Sequence, residues 1–564
     1  MLRESLTNDV SAPVPAGVST VRHLRQVLLW PVRLLTPDRG DGDDERVPPW
    51  RVLRNLGERS PWREVEDEYT GEGERFHESH YNEFVSFLPV VQRFLYGDGR
   101  AYRGAGGVDD GSPMRVFRRR DITGLRVTPR PGDAPITLDV VHVDLYFFYD
   151  VDAVILNVEV SADELTLVQA QELLYRLGRA YPAGWDVNGR PLHCLESLEW
   201  LGADGQVLAR SDAQDREAFL AHVCEHRAPR VDAHWAFVLE PFVSHHSNEG
   251  GPLRYRQIEY YRMPMMAYLS LDDPRSLTRN DFVRLGLVTT AGSDADLPFS
   301  EHHLADFEQR FCYDRFWSDG GVAPNTRYLC NGHALVVIGQ ARSEFFGCSE
   351  RGVLSQFRHQ HFLLFLIAHI QKAALLMFSD RLVEALKSLD IRRPDSVKRF
   401  KRVIRECFEQ FLRFTHRYWF HEVSEQAQVR ALFQMCAGHL GLDGLYNEVK
   451  ERIADMSSYL DADSLRRQAN TVVRLTVVTI FGLIGTVTTG FLGMNLLAEA
   501  DASMARKLWI FAAVFVITTV LTVYTMSKSK RLSDFLDALS DERLSVWTKF
   551  KALAAVWLPS GGER

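Results

Sequence analysis

Near the end of the chain, two long apolar segments contain no charged residue. The first runs from Leu475 to Ala498 and the second from Leu508 to Met526. A helix needs about 20 apolar residues to cross the hydrocarbon layer of a membrane. The pattern therefore predicts a first transmembrane helix over 472–495, an extracytoplasmic loop over 496–507 and a second transmembrane helix over 508–527.

The charges that flank these segments predict their orientation. Basic residues precede the first segment and follow the second: Arg466, Arg467, Arg474, Lys528, Lys530 and Arg531. The loop carries charges that cancel: Glu499, Asp501, Arg506 and Lys507. Because cytoplasmic flanks are enriched in lysine and arginine, we expect a multi-pass protein of the plasma (inner) membrane with both termini in the cytoplasm. A basic cluster and a cytoplasmic C-terminal helix are expected over 528–564.

A third apolar segment, HFLLFLIAHIQKAALLMF at 361–378, competes with these two. Its uncharged core, Phe362 to Gln371, is too short to cross a bilayer, and His369, Gln371 and Lys372 interrupt the segment. We predict that it is a buried helix of the soluble part.

The residues before the predicted transmembrane helices show both strand and helix patterns. ITLDVVHVDLYFFYDV (136–151) and AVILNVEV (153–160) are rich in β-branched and aromatic residues, which favours strands. A helix is predicted over 162–180, and the chain after Glu350 has an almost entirely helical pattern. We therefore expect an α+β fold, with a cytoplasmic mixed α/β sheet domain over 115–349 and a helical region and stalk over 350–471.

Residues 1–114 are predicted to form an N-terminal extension. It contains two stretches typical of flexible linkers, at 37–49 and 97–113. Between the N-terminus and the first linker, VRHLRQVLLWPVRLL (21–35) mixes basic and apolar residues. We expect this segment to dock on the body of the protein, with contact to a membrane surface as the alternative.

Composition narrows the functional classes. The 564-residue chain has a net charge of -8 and no dominant basic stripe, so we expect no nucleic-acid partner. Its 7 cysteines are scattered and form no Cys-x-x-Cys pair, which indicates a reducing compartment rather than a disulfide framework or a zinc ribbon. The sequence has no Gly-rich phosphate loop, Ser-His-Asp order or His-Glu-x-x-His string, and we predict that the protein is not an enzyme.

The first predicted transmembrane helix is rich in glycine and threonine, which allows two interpretations. Small residues let helices pack closely, and threonine hydroxyls can bond back to carbonyl groups. The alternative is that one face lines a narrow pore, because four residues recur at spacings of three and four: Thr479, Leu483, Thr486 and Gly490.

A tripeptide motif closes this helix. The string VVRLTVVTIFGLIGTVTTGFLGMN (472–495), with a short loop and a final apolar span after it, resembles the CorA family of divalent-cation channels. The hallmark of that family is Gly-Met-Asn at this place. The resemblance covers about residues 445–531 and implies a funnel-shaped homopentamer in the lipid bilayer that conducts Mg²⁺ and tolerates Co²⁺ and Ni²⁺. It implies no covalently bound cofactor; Mg²⁺ is the transported ion and a candidate regulatory ion.

The resemblance also assigns roles to individual residues. Gly493, Met494 and Asn495 would form the selectivity filter, where uncharged amide and carbonyl oxygens hold an ion through its water shell. The pore-lining positions fall on Thr486, Leu483, Leu475 and Asn470 or its neighbour Ala469. The two leucines would form apolar constrictions that gate by dewetting.

The loop after the motif departs from the family. LLAEADASMARK lacks the Met-Pro-Glu-Leu string that usually follows, and only Glu499 and Asp501 remain as outer attractors for cations. The identity of the ion therefore stays open to Zn²⁺, as in the zinc-transporting branch of the family.

A single long helix is predicted from Leu445 through the membrane to Asn495, so that a stalk can gate the pore. In relatives, Mg²⁺ held by carboxylates between subunits keeps the channel closed. Asp455, Asp461 and Asp463 lie on this helix and are hypothetical metal sensors, with a solvated helix face as the alternative.

Three functions follow as hypotheses. The first is a Mg²⁺ channel gated through the stalk helix, and the second is a Zn²⁺ transporter on the same scaffold. The third is a membrane-anchored oligomeric sensor or scaffold in the cytoplasm, without transport. The long N-terminal region before the first predicted strand gives the third hypothesis some support.

Overall fold

The computed structural model describes residues 20–35, 48–65, 78–97, 114–259, 262–291, 299–387, 393–493 and 503–527, together with Leu297, Leu389 and Asp390. Contacts divide the chain into two compact units, Met1–Ile453 and Ala454–Arg564.

A large mixed sheet forms the centre of the first unit. Its strands are β1 Thr20–Leu35, β2 Trp62–Glu64, β3 Met114–Arg119, β4 Gly124–Thr128, β5 Ile136–Phe148, β6 Val151–Thr166, β7 Ser197–Leu201, β8 Val207–Arg210, β9 Phe242–Ser244, β10 Leu253–Gln257, β11 Met265–Leu271, β12 Cys312–Tyr313, β13 Arg327–Cys330 and β14 Ala334–Gln340. Among the described residues the main order is β12-β13-β14-β11-β1-β6-β5-β4-β7-β8, with β10 also beside β1 and β3 also beside β5. The pairs β9–β10 and β11–β14 are parallel, so the sheet is mixed, as predicted.

Helices pack against this sheet, and others follow it in the chain. Within the described residues they are α1 Pro49–Leu56, α2 Glu78–Ser86, α3 Pro89–Tyr96, α4 Leu167–Arg176, α5 Arg216–His226, α6 Ala233–Leu239, α7 Arg279–Leu287, α8 Glu301–Phe311, α9 Glu344–Gly347, α10 Val353–Gln356, α11 Phe362–Lys387, α12 Pro394–Arg417, α13 Ala427–Leu440, α14 Leu442–Gly493 and α15 Met504–Ser527. A π-helical turn, Phe357–His361, joins α10 to α11.

Strand β1 lies in the middle of the sheet, although its residues were expected in an N-terminal extension. The strand has 16 residues, and it pairs antiparallel with β6 from Thr20 to Arg33. Pro31 cannot donate a ladder hydrogen bond, and it lies where the other neighbour of β1 changes from β11 to β10. The described sheet therefore includes Thr20–Leu35, and the docking expected for 21–35 takes the form of strand pairing.

The basic residues of β1 have acidic partners from distant parts of the chain. Arg33 Nη1 lies 2.7 Å from Asp380 Oδ2, and its Nη2 lies 3.1 Å from Glu384 Oε2. Arg25 pairs with Glu159 of β6. Because a charge can enter a protein interior when an opposite charge meets it there, basic residues are compatible with a central strand.

The helix predicted over 162–180 is shorter at both ends, because β6 continues to Thr166 and α4 occupies 167–176. Thr166 caps this helix. Its Oγ1 accepts a hydrogen bond from Gln169 N at 3.2 Å, and Gln169 Oε1 accepts one from Thr166 N at 2.9 Å. This reciprocal capping box sets the start of α4.

Helix α11 lies in the core of the first unit. Among the described residues, one helical stretch, Val353–Lys387, is long and apolar enough to cross a membrane; its mean hydropathy is 1.8, and 83% of its apolar window is buried inside the protein. Two of its polar side chains have partners: His369 Nε2 lies 3.1 Å from Gly332 O, and Gln371 Nε2 donates to Tyr418 O at 2.8 Å. The prediction of a buried helix over 361–378 is confirmed.

The long helix α14 follows the bundle formed by α11, α12 and α13. Gly441, with a φ of 66°, ends α13 in the left-handed conformation that favours glycine. Helix α14 then runs for 52 residues, from Leu442 to Gly493, which is about 78 Å at 1.5 Å per residue. One continuous helix thus covers the residues expected to form the stalk and, up to Gly493, the first predicted transmembrane helix.

Candidate functional site

The described part of helix α14 reaches Gly493, the first residue of the Gly-Met-Asn motif. Met494 and Asn495 of the predicted filter lie outside the described residues, as do Glu499 and Asp501 of the predicted outer loop.

The predicted pore-lining residues lie on α14: Asn470, Leu475, Thr479, Leu483, Thr486 and Gly490. At about 100° per residue, the last five positions fall within about 40° on either side of position 479. Position 470 falls about 180° away, on the opposite face, whereas position 469 falls only about 80° away. A continuous helix therefore favours Ala469 over Asn470 for the first of the predicted pore-lining positions along the chain.

Threonine hydroxyls on this helix bond back to its own carbonyl groups. Thr479 Oγ1 donates to Leu475 O at 2.8 Å, and Thr486 Oγ1 donates to Gly482 O at 2.8 Å. This bond uses the hydroxyl hydrogen and leaves the oxygen lone pairs as acceptors. Both threonines are exposed in the single chain, so their oxygens can accept hydrogen bonds from water or from a ligand.

The glycines of α14 have open space around them. A Cβ atom added to Gly482, Gly490 or Gly493 would meet no described atom within 4 Å, outside the helix backbone itself. Packing among the described residues of one chain therefore does not explain why these positions are glycine.

Large apolar side chains are exposed on both C-terminal helices. Leu475 of α14 is 68% exposed and Trp509 of α15 is 77% exposed. Others are Val472, Val478, Ile480, Leu508, Ile510, Val516, Ile517 and Val520. Soluble monomers rarely expose large apolar patches, so this surface is of the kind that lipid or another subunit covers.

The hypothetical sensor residues also lie on α14. Asp455 is exposed, and Asp461 and Asp463 come later on the same helix. In the part of the chain that the structure describes, no group of three or more His, Cys, Asp or Glu side chains could hold a metal ion. Asp455 therefore belongs to no preformed metal site of this kind.

A polar network at the base of α14 was not predicted. Asp380 and Glu384, one turn apart near the end of α11, both bind Arg33 of β1. One residue before Asp380, Ser379 Oγ accepts a hydrogen bond from Arg452 Nη1 of α14 at 2.8 Å. Neighbouring residues of α11 thus bind both the sheet and α14. The acidic pair at spacing i, i+4 on a largely apolar helix was the available sequence signal.

Aromatic stacking also holds the first turns of α14. The Tyr446 ring stacks on Trp419 with a centroid distance of 4.4 Å and on Phe411 with a distance of 5.6 Å. Val449 and Ile453, one and two turns later, are buried. The start of α14 is therefore tightly packed in the first unit.

The candidate site thus consists of the helix that leads to the motif, the face of that helix with threonines and glycines, and its tightly packed first turns. Comparison with known proteins adds no relative: no family model, no curated protein and no solved structure matches this chain.

Proposed function

We propose that this chain is one subunit of an oligomeric divalent-cation channel of the plasma (inner) membrane, which conducts Mg²⁺ and tolerates Co²⁺ and Ni²⁺. The observation that carries the proposal is the position of Gly-Met-Asn. The motif begins at Gly493, to which the structure describes a 52-residue helix, and a 24-residue helix is described from Met504 onward. A helix that ended within the motif would supply carbonyl oxygens without intrahelical partners, and Asn495 would add an uncharged amide.

Insertion into a bilayer is supported by the exposed apolar side chains of the C-terminal helices. Fully burying a side chain of the size of leucine or valine gains about 1.5–3 kcal/mol relative to exposure in water. In a soluble monomer this stabilisation would be absent for Leu475, Leu508, Trp509 and their apolar neighbours. A hydrocarbon layer or neighbouring subunits would recover it.

Oligomerisation is supported by the shape of α14. One helix cannot enclose a pore, so several copies must supply it. Gly482 and Gly490 have open space beside them, which suits either close approach by a helix of another copy or a pore lumen. The resemblance to the CorA family suggests five copies arranged as a funnel.

The proposed ion path suits a hydrated cation. Mg²⁺ gives up its water shell reluctantly, and carbonyl and amide oxygens can accept hydrogen bonds from that shell without the tight binding of carboxylates. Thr486 adds a further acceptor, since its hydroxyl hydrogen is already used by Gly482 O. Leu475 and Leu483 would form the apolar constrictions.

Gating would begin where α14 is anchored. The contacts of Arg452 with Ser379 and of Tyr446 with Trp419 tie the first turns of α14 to α11 and to the segment after α12. A change in the sheet domain would therefore be carried to the helix that leads to the motif. Mg²⁺ bound between copies through Asp455, Asp461 and Asp463 is the proposed closing signal.

The test replaces the amide of the motif. Asn495→Ala should abolish Mg²⁺ uptake into vesicles that contain the purified protein, because the ring of side-chain amides supplied by the several copies is lost. Asn447→Ala, an exposed asparagine near the start of the same helix, serves as the matched control and should leave uptake unchanged. Unchanged uptake by the Asn495 variant would reject the filter and favour the anchored sensor or scaffold.

Competition between ions separates the Mg²⁺ channel from a Zn²⁺ transporter on the same scaffold. Excess Mg²⁺, Co²⁺ or Ni²⁺ should inhibit uptake of labelled Mg²⁺ at every pH between 6 and 8. Uptake of Zn²⁺ that follows an imposed pH difference and resists excess Mg²⁺ would instead identify the transporter.

A further inference from the structure

Two pairs of histidines lie close together on one side of the sheet domain. His222 and His226 are one turn apart on α5, and their ring centroids are 4.5 Å apart. His245 and His246 follow β9 directly, with their ring centroids 5.1 Å apart. Residues at spacing i, i+4 share one face of a helix, so the first pair can present two imidazoles to the same ligand.

Hydrogen bonds hold the second pair beside the first. Asn248 Nδ2 donates to Glu225 Oε1 of α5 at 3.1 Å. The Arg254 guanidinium of β10 donates to the carbonyl oxygens of His245 at 3.2 Å and Glu249 at 2.7 Å. The loop after β9 is therefore fixed by hydrogen bonds, one of which joins it to the turn of α5 that carries the first histidine pair.

The first pair has unused coordinating capacity. His222 Nε2 is buried and has no hydrogen-bond partner among the described residues. A neutral imidazole binds a metal through a nitrogen lone pair, and the buried Nε2 of His222 is available for such a bond.

We propose that His222 and His226 form a chelating site for a transition-metal ion of the Zn²⁺, Ni²⁺ and Co²⁺ class, with His246 as a third ligand after side-chain rotation. No group of three suitable side chains is preassembled within the described residues, so the helix pair binds first and water fills the remaining positions. Imidazole nitrogen favours these ions, whereas Mg²⁺ prefers oxygen ligands. The site is therefore distinct in chemistry from the proposed ion path.

Occupation of this site would join α5 to the loop after β9 through a metal. The site would therefore report the level of a transition metal to the sheet domain, independently of whether the chain conducts Mg²⁺. A ligand that binds only the folded state raises the unfolding temperature, so Zn²⁺ should stabilise the protein.

The experiment measures Zn²⁺ binding to the full-length protein in detergent, by equilibrium dialysis in excess Mg²⁺, which occupies oxygen-ligand sites. The double variant His222→Gln/His226→Gln should lose one bound Zn²⁺ per chain. The matched control His302→Gln/His303→Gln removes two exposed, adjacent histidines from α8; because neighbouring residues on a helix point apart, it should lose none. Equal Zn²⁺ binding by wild type and His222→Gln/His226→Gln would overturn the proposal.

Two further measurements make the result independent of folding defects. The single variant His226→Gln, at a partly exposed position, should keep the unfolding temperature without metal but lose the rise that Zn²⁺ causes. Co²⁺ bound to the wild type should show the absorption bands in the visible range that are typical of Co²⁺ with a low coordination number. His246→Gln should weaken these bands. A rise in unfolding temperature retained by His226→Gln would reject the chelate, and a Co²⁺ spectrum unchanged by His246→Gln would reject the third ligand.

Discussion

We expect His361 to make the protein unstable in acid. This residue is fully buried at the end of the π-helical turn before α11, and neither of its ring nitrogens has a hydrogen-bond partner among the described residues. Its ring meets Tyr328 edge-on, with a centroid distance of 5.6 Å. Burial disfavours the charged imidazolium and lowers the pKa of His361 to about 3.

The size of the effect follows from this change in pKa. An unfolded histidine titrates near 6.5, and each unit of difference is worth about 1.36 kcal/mol. The difference from about 6.5 to about 3 is about 3.5 units, which sets an upper value of about 5 kcal/mol. The folded state takes up the proton at a lower pH than the unfolded state. The contribution of His361 to the free energy of unfolding is therefore full above pH 6.5 and is lost as the pH falls toward 3.

The substitution His361→Phe keeps a ring and removes the titration. We expect the unfolding temperature of the wild type to fall faster than that of the variant between pH 7 and pH 5, measured by circular dichroism on the full-length protein in detergent. Some pH dependence should remain, because burial also lowers the pKa of His369. His302→Gln, on the exposed side of α8, should reproduce the wild-type slope. Parallel curves for the wild type and His361→Phe would refute the reasoning.

Two further predictions concern packing and charge in the sheet domain. Glu172 is buried, Arg130 Nη2 lies 2.8 Å from its carboxylate, and the pKa of Glu172 is lowered to about 2. Glu172→Gln should therefore lower the free energy of unfolding, measured in urea at pH 7, by about 1–3 kcal/mol. This loss should shrink as the pH falls from about 4.5 toward 2. A pH-independent cost would contradict this. A Cβ on Gly339 would lie 2.1 Å from the Phe346 ring, so Gly339→Ala should cost about 1–3 kcal/mol, whereas Gly347→Ala, with open space around it, should cost far less.

The buried helix α11 illustrates what could be predicted. Its apolar pattern alone would suit a membrane segment, but His369 and Gln371 interrupt it, and the structure gives these side chains partners in Gly332 and Tyr418. Length and interruption are local properties of the chain, so they could be judged without knowing the fold. The partners lie tens of residues away and could not be foreseen.

Strand β1 shows the opposite case. A mixture of basic and apolar residues is equally typical of a membrane-surface segment and of a strand whose charges are compensated. Arg33 meets Asp380, 347 residues further along the chain, and no local pattern connects the two. For the same reason the sequence does not show that the two histidine pairs are neighbours. Helix α5 and the loop after β9 meet only through tertiary contacts such as that of Asn248 with Glu225.

Local patterns were sufficient to predict a long helix, the apolar helix after it and a mixed sheet, because helix and strand periodicity and runs of uncharged residues act over neighbouring residues. The long helix was expected over Leu445–Asn495 and is described over Leu442–Gly493. The fold was needed to show that β1 is a central strand, that α11 is held to the sheet by ion pairs, and that the loop with one histidine pair is bonded to the helix with the other. These features depend on compensating charges and polar groups that are far apart in the chain, and their burial is favourable only when the fold brings the partners together.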